Sequence, residues 1–179
     1  MHIAQAQADQ RRAFANGGLG AVVSGLVWLV AGIVLARADL ATAYATLFFG
    51  GFLIFPLGLF VARVILKLPK ETPGNPLIKV VPECTIAMVA FLFIAWLLVD
   101  IAPDIVLPAA VLAVGTHYFP FQTAYGLKVY WLLGAVTTGL GLAALFTGIP
   151  QGPTLMWAMA AIEIAFGLYL SFAIERSDG

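Results

Sequence analysis

The chain has 179 residues, of which 62% are apolar and 10% are charged, and this composition excludes an ordinary soluble domain, where about half and about a quarter are usual. So short a chain cannot bury so many apolar side chains in one core surrounded by water, so we expect lipid around it. Its net charge of zero and its single cysteine, Cys84, exclude a field that attracts nucleic acid, an internal disulfide and a multi-cysteine metal site. We therefore expect the lipid bilayer as a partner, no nucleic acid, and no cofactor or metal.

Six apolar runs follow a polar segment, residues 1–17, which we predict to be cytoplasmic. A helix needs about 20 apolar residues to cross the bilayer, and these runs are too long for the strands of a membrane barrel. The predicted fold class is therefore all-α, an integral membrane bundle of six transmembrane helices. Asp39, Asp104 and Thr154 stand just before three of the runs, where each could cap a helix. The transmembrane domain, 18–174, comprises predicted spans at 18–37, 40–66, 85–101, 105–128, 129–149 and 155–174, with a cytoplasmic loop at 67–82 and a cytoplasmic tail at 175–179.

Prolines interrupt two of the predicted spans. Pro56 lies inside the second run and Pro120 inside the fourth, and each removes a backbone hydrogen bond from a helix. We expect helix breaks at both positions and regard them as candidate gating elements.

The basic residues predict the orientation. With the N-terminus inside, eight of the nine Lys and Arg residues, Arg176 among them, fall on the cytoplasmic side, which favours an even number of spans with both termini inside. Lys67, Lys70 and Lys79 then lie in the cytoplasmic loop, where we expect them to contact anionic lipid and fix the orientation; a protein-docking loop is the alternative. The first run is longer than the core of a signal peptide, so we expect an uncleaved helix.

Glu163 is the leading candidate for a functional residue. It lies near the middle of the sixth run, where a charge costs at least about 2.5 kcal/mol on insertion scales. Its side chain should face the interior of the bundle, and Ala160 and Gly167 on the same face predict close packing against a neighbouring helix. The functional interpretation is a proton- or cation-binding carboxylate, and the structural alternative is a neutral Glu bonded to another helix.

His117 is the second candidate and lies in the middle of the fourth run. Pro120 frees the carbonyl of Thr116 beside it, and a His and a Glu at similar depth could share a proton. The alternative is a buried histidine satisfied by a neighbouring hydroxyl or carbonyl. The sequence does not show whether the fourth and sixth spans touch.

Three strings resemble those of a family of small bacterial membrane proteins of unknown function. They are FPLGLFVARVI (55–65), NPL (75–77) and GTHYFPF (115–121), in this order between apolar runs. The resemblance covers about residues 40–140 and implies a multi-pass protein of the bacterial inner membrane. It implies no activity, and Glu163 lies outside the matched part.

Three functional interpretations remain open. The first is a small-solute or ion transporter or channel, linked to protons through Glu163 and His117. The second is a non-catalytic assembly subunit that binds itself or another membrane subunit through faces of small residues. The third, an intramembrane enzyme using His117, Glu163 and either Glu83 or Asp100, ranks last because acid–base or metal chemistry usually needs more clustered ligands, and we assign no catalytic residue.

Overall fold

The computed structural model describes residues 1–173, and these residues form helices and connecting turns without a strand. The α-helices are α1 (Ile3–Phe14), α2 (Gly18–Leu35), α3 (Leu40–Gly51), α4 (Ile54–Phe60), α5 (Val80–Leu97), α6 (Pro103–His117), α7 (Phe119–Tyr125), α8 (Val129–Thr147) and α9 (Gly152–Leu168). Short turns of other helical types follow α1 (3₁₀, Ala15–Gly17), α4 (π, Val61–Ile65) and α9 (π, Tyr169–Ala173).

The predicted class, an α-helical membrane bundle, is confirmed. Five helical segments of the described chain are long and apolar enough to cross a membrane, and α3 with α4 makes a sixth when the bent pair counts as one span. Each of the six predicted runs corresponds to one of these segments. The end of the sixth run at residue 174, Arg176 and the predicted tail at 175–179 lie outside the described residues.

The polar N-terminal segment, for which the sequence predicts no secondary structure, forms the helix α1. Ala15, Asn16 and Gly17 then all have positive φ angles, and this left-handed turn separates α1 from α2. Asn and Gly tolerate this conformation better than other residues. The turn therefore lets α1 dock on the bundle and not continue the axis of the first span.

Both predicted helix breaks occur, and each lies a few residues before its proline. α3 ends at Gly51 and α4 begins at Ile54, with a bend of 43° between the two segments, and Pro56 is the third residue of α4. A proline ring clashes with the carbonyl four residues earlier, which places the disruption ahead of the proline itself. Pro120 acts in the same way, because α6 ends at His117 and α7 begins at Phe119.

Only one of the three predicted helix caps is found. The Asp39 carboxylate accepts a hydrogen bond of 2.8 Å from the backbone N–H of Thr42 and caps α3. The prediction is wrong for Asp104 and Thr154, which lie inside the first turns of α6 and α9. Pro103 and Pro153 favour the first turn of a helix, so both helices begin earlier than the polar residues indicate.

The core lies between two closely packed helix pairs, α2 with α9 and α6 with α8. Glycines permit this approach: a Cβ on Gly25 would lie 2.9 Å from the Ala160 carbonyl oxygen, and a Cβ on Gly141 would lie 2.9 Å from the Leu112 side chain. Small residues commonly allow such contacts between membrane helices. By contrast, α5 is peripheral, and of its 18 residues Ala95 alone is buried.

Candidate functional site around Glu163

Glu163 is fully buried where α2, α6 and α9 meet. Its side chain has no exposed surface, and its Oε1 accepts a hydrogen bond of 2.6 Å from the hydroxyl of Tyr118. The buried hydroxyl of Ser24, from α2, lies close enough to interact with both groups. The carboxyl group thus lies beside two hydroxyls, one from α2 and one from the junction between α6 and α7.

The second carboxyl oxygen, Oε2, makes no hydrogen bond of standard geometry within the described residues. A buried polar atom without a partner costs about 1–3 kcal/mol, and more when it is charged. A protonated carboxyl would need an acceptor at this position, and an ionised one would need a donor or a cation. One oxygen of the buried carboxyl group is therefore left without a hydrogen-bond partner among residues 1–173.

Two local features of the sequence place these three side chains together. Gly25 removes the Cβ that would otherwise hold α2 away from Ala160 and Ile164 on α9, and this brings the adjacent Ser24 next to Glu163. Tyr118 lies at the junction of α6 and α7, where Pro120 interrupts the helix. Close helix packing and a proline break thus build the site.

His117 contacts the same tyrosine from a different direction. Its ring centroid lies 4.3 Å from that of Tyr118 and 5.1 Å from that of Phe121. Its Nδ1 donates a hydrogen bond to the carbonyl of Val114. The structure brings His117 and Glu163 together only through Tyr118, since no hydrogen bond joins them directly within residues 1–173.

Buried aromatic side chains extend from Tyr118 toward the first helix. The ring of Tyr118 stacks on that of Tyr130 at 6.5 Å, and Tyr130 donates from its hydroxyl to the backbone carbonyl of Asn16. Asn16 in turn donates from Nδ2 to the carbonyl of Leu170, over 2.8 Å. Buried hydrogen bonds and one aromatic stack therefore connect the middle of α9 to the turn between α1 and α2.

A polar network joins α1 to the predicted cytoplasmic loop. Asp9 is 6% exposed and accepts hydrogen bonds from Arg12, Asn75 and both the N–H and hydroxyl of Thr72. Burial raises the pKa of Asp9, but these hydrogen bonds outweigh it and lower the pKa from 3.8 to about 2. The loop is therefore folded onto α1, and its Lys67, Lys70 and Lys79 remain exposed.

Sequence reasoning missed four of the residues just described. Tyr118 and Ser24 had a usable signal, because a polar side chain inside an apolar span tends to face the bundle. Asn16 and Asp9 had none, since polar residues in a short N-terminal segment are most simply interpreted as solvated. Among the described residues, no group of three or more His, Cys, Asp and Glu side chains could hold a metal ion.

The fold and this buried polar site define a polytopic α-helical membrane protein. The sequence model of DUF7010, a family of unknown function, matches residues 3–173. The chain belongs to that family. This confirms the resemblance noted in the sequence and extends it over α9, which carries Glu163. No curated protein and no solved structure matches the chain.

Proposed function

We propose that the protein is a proton-linked transporter of small solutes or ions in the bacterial inner membrane, with both termini in the cytoplasm and Glu163 as the titrating group. The observation that carries this proposal is a fully buried carboxyl group in the middle of α9, whose Oε2 has no hydrogen bond of standard geometry within the described residues. Ionisable residues inside a membrane are costly, and they commonly mark ion pathways and proton relays.

Interrupted helices, one of which carries a residue of the site, support the proposal. The α6–α7 junction carries Tyr118, the α3–α4 pair is bent by 43°, and α9 ends in the π-helical turn Tyr169–Ala173. Broken helices near the midplane commonly form the substrate and ion sites of secondary transporters, and π turns are frequent at functional sites. Pro56 and Pro120 have the role of hinges in this proposal.

The described conformation corresponds to an occluded state. Glu163 has no exposed surface, so neither a proton nor a solute reaches it without movement of the surrounding helices. Alternating access requires that such a site open to each side in turn. Tyr118 then positions the carboxyl group through its hydrogen bond, and His117 contacts the ring of Tyr118.

Proton flux into proteoliposomes tests the proposal. Vesicles containing the purified protein and a pH-sensitive dye are given a potassium diffusion potential with valinomycin, and internal acidification is followed. We expect acidification well above that of protein-free vesicles, and its loss in Glu163→Gln, which keeps the size of the side chain and removes its titration.

Glu83→Gln is the matched control, because Glu83 is an exposed carboxylate in the first turn of α5. Its flux should equal that of the wild type. Flux no greater than that of protein-free vesicles, or equal flux in Glu163→Gln, contradicts the proposed function.

A further inference from the structure

A groove at the predicted cytoplasmic boundary combines an apolar floor with a basic rim. It has a volume of about 270 Å³. Phe55 and Leu59 of the second span form its floor together with Phe14, the last residue of α1. Arg63, Lys70 and Glu71 stand at its rim.

The order of these residues along the span matches the depth profile of a phospholipid. Phe55, Leu59 and Arg63 follow one another at intervals of four residues, so they lie on one side of the α4 segment. In the predicted topology the apolar residues lie deeper in the membrane, and Arg63 lies nearest the loop. An acyl chain would contact Phe55, which is 67% exposed, and the headgroup would reach the rim.

The guanidinium of Arg63 is engaged in contacts within the protein. It donates to the carbonyls of Ala13 and Pro69, pairs with Glu71 at 2.9 Å, and lies over the ring of Phe14 at 5.1 Å. The Arg63 and Glu71 charges therefore neutralise each other and fix the wall of the groove.

Lys70 is then the uncompensated charge of the groove. It forms no ion pair within residues 1–173 and its side chain is exposed. The rim thus carries one net positive charge beside an apolar floor. A lipid with one net negative charge, on a phosphodiester, complements both features.

We propose that this groove is a binding site for an anionic glycerophospholipid, with its phosphodiester on Lys70 and an acyl chain along Phe55 and Leu59. The site is independent of the transport activity proposed above. Lys70 lines this site, whereas Lys67 and Lys79 belong to the same loop but do not line the groove. A lipid bound there would contact α1, α4 and the loop together.

Native mass spectrometry of the full chain tests the site with two lipids of equal acyl chains, dioleoylphosphatidylglycerol and dioleoylphosphatidylcholine. We expect phosphatidylglycerol to bind more tightly, and Lys70→Gln to weaken its binding about fivefold, the factor that corresponds to about 1 kcal/mol for one basic residue at an anionic surface. Phosphatidylcholine binding should change little in this variant.

Lys79→Gln is the matched control, since it removes an exposed charge from the same loop. It should retain the preference for phosphatidylglycerol. Equal affinity of the wild type for both lipids overturns the proposal. Equal losses of affinity in Lys70→Gln and Lys79→Gln also overturn it, because they indicate that the whole loop attracts the lipid through its charge.

Two further measurements distinguish a lipid ligand from a free anion. Inorganic phosphate at the same concentration should not displace the lipid, because it lacks the acyl chain that contacts the groove. Phe55→Ala should weaken both lipids alike. Displacement by phosphate alone would assign the groove to a free anion and contradict the lipid site.

Discussion

The hydroxyl of Tyr118 donates a hydrogen bond of 2.6 Å to Oε1 of Glu163, and it joins the break between α6 and α7 to the middle of α9. Both side chains are buried, at 3% and 0% exposure, so water cannot replace either partner. This contact converts two separately costly polar groups into one partly satisfied pair. It is the polar link between the α6–α7 segment and α9 at the candidate site.

A double-mutant cycle measures this link. We expect Tyr118→Phe and Glu163→Met each to lower the free energy of unfolding by about 0.5–2 kcal/mol, because each leaves a buried group without its partner. The double variant should lose less than the sum, with a coupling of at least about 0.5 kcal/mol. Reversible unfolding in mixed micelles provides the measurement.

Asp100→Asn serves as the comparison for that cycle, since Asp100 is exposed and distant in sequence from both residues. Its effect should add to that of Tyr118→Phe without coupling. Strict additivity of Tyr118→Phe and Glu163→Met would show that the hydrogen bond contributes nothing to the fold.

Close packing of α2 on α9 predicts a sharp difference between two glycines. Gly25→Ala should destabilise the protein by about 1–3 kcal/mol, because the new Cβ would meet the Ile164 side chain at 2.7 Å and the Ala160 carbonyl oxygen at 2.9 Å. Gly139→Ala, in the interior of α8, should be neutral or slightly stabilising, since nothing lies within 4 Å of its added Cβ. Unfolding midpoints of the two variants in one detergent check the difference, and a neutral Gly25→Ala would contradict the close approach.

Asp9 predicts an acid-dependent contribution from the docking of α1. The pKa of Asp9 falls from 3.8 to about 2 on folding. The stabilisation is therefore fully present above about pH 4 and disappears as the pH falls through about 2, with a total of up to about 2 kcal/mol. Asp9→Asn should be less stable than the wild type near neutral pH, and the difference should shrink as the pH falls.

The free energy of unfolding of both proteins, measured between about pH 6 and pH 2, checks this sign. A difference between Asp9→Asn and the wild type that is constant with pH would indicate that the network is not formed in solution.

The sequence by itself determined the class of protein and the positions of its apolar helices. Apolar runs of span length permit only a helical membrane bundle, because every backbone polar group in lipid must be bonded within its own segment. The same local chemistry located the breaks near Pro56 and Pro120 and the cap at Asp39. It failed at Asp104 and Thr154, where prolines one position earlier in each sequence favour an earlier helix start.

Only the tertiary structure decided which polar groups meet. The pairing of Glu163 with Tyr118, and not with its neighbour His117, depends on how α6 rotates at its break and on how closely α2 approaches α9. The fold of the N-terminal segment onto the 67–79 loop likewise depends on a left-handed turn at Ala15–Gly17 and on contacts more than 60 residues apart, such as Asn75 with Asp9. Periodicity and composition describe one helix at a time, whereas these contacts are set by side-chain volumes and hydrogen-bond geometry between helices.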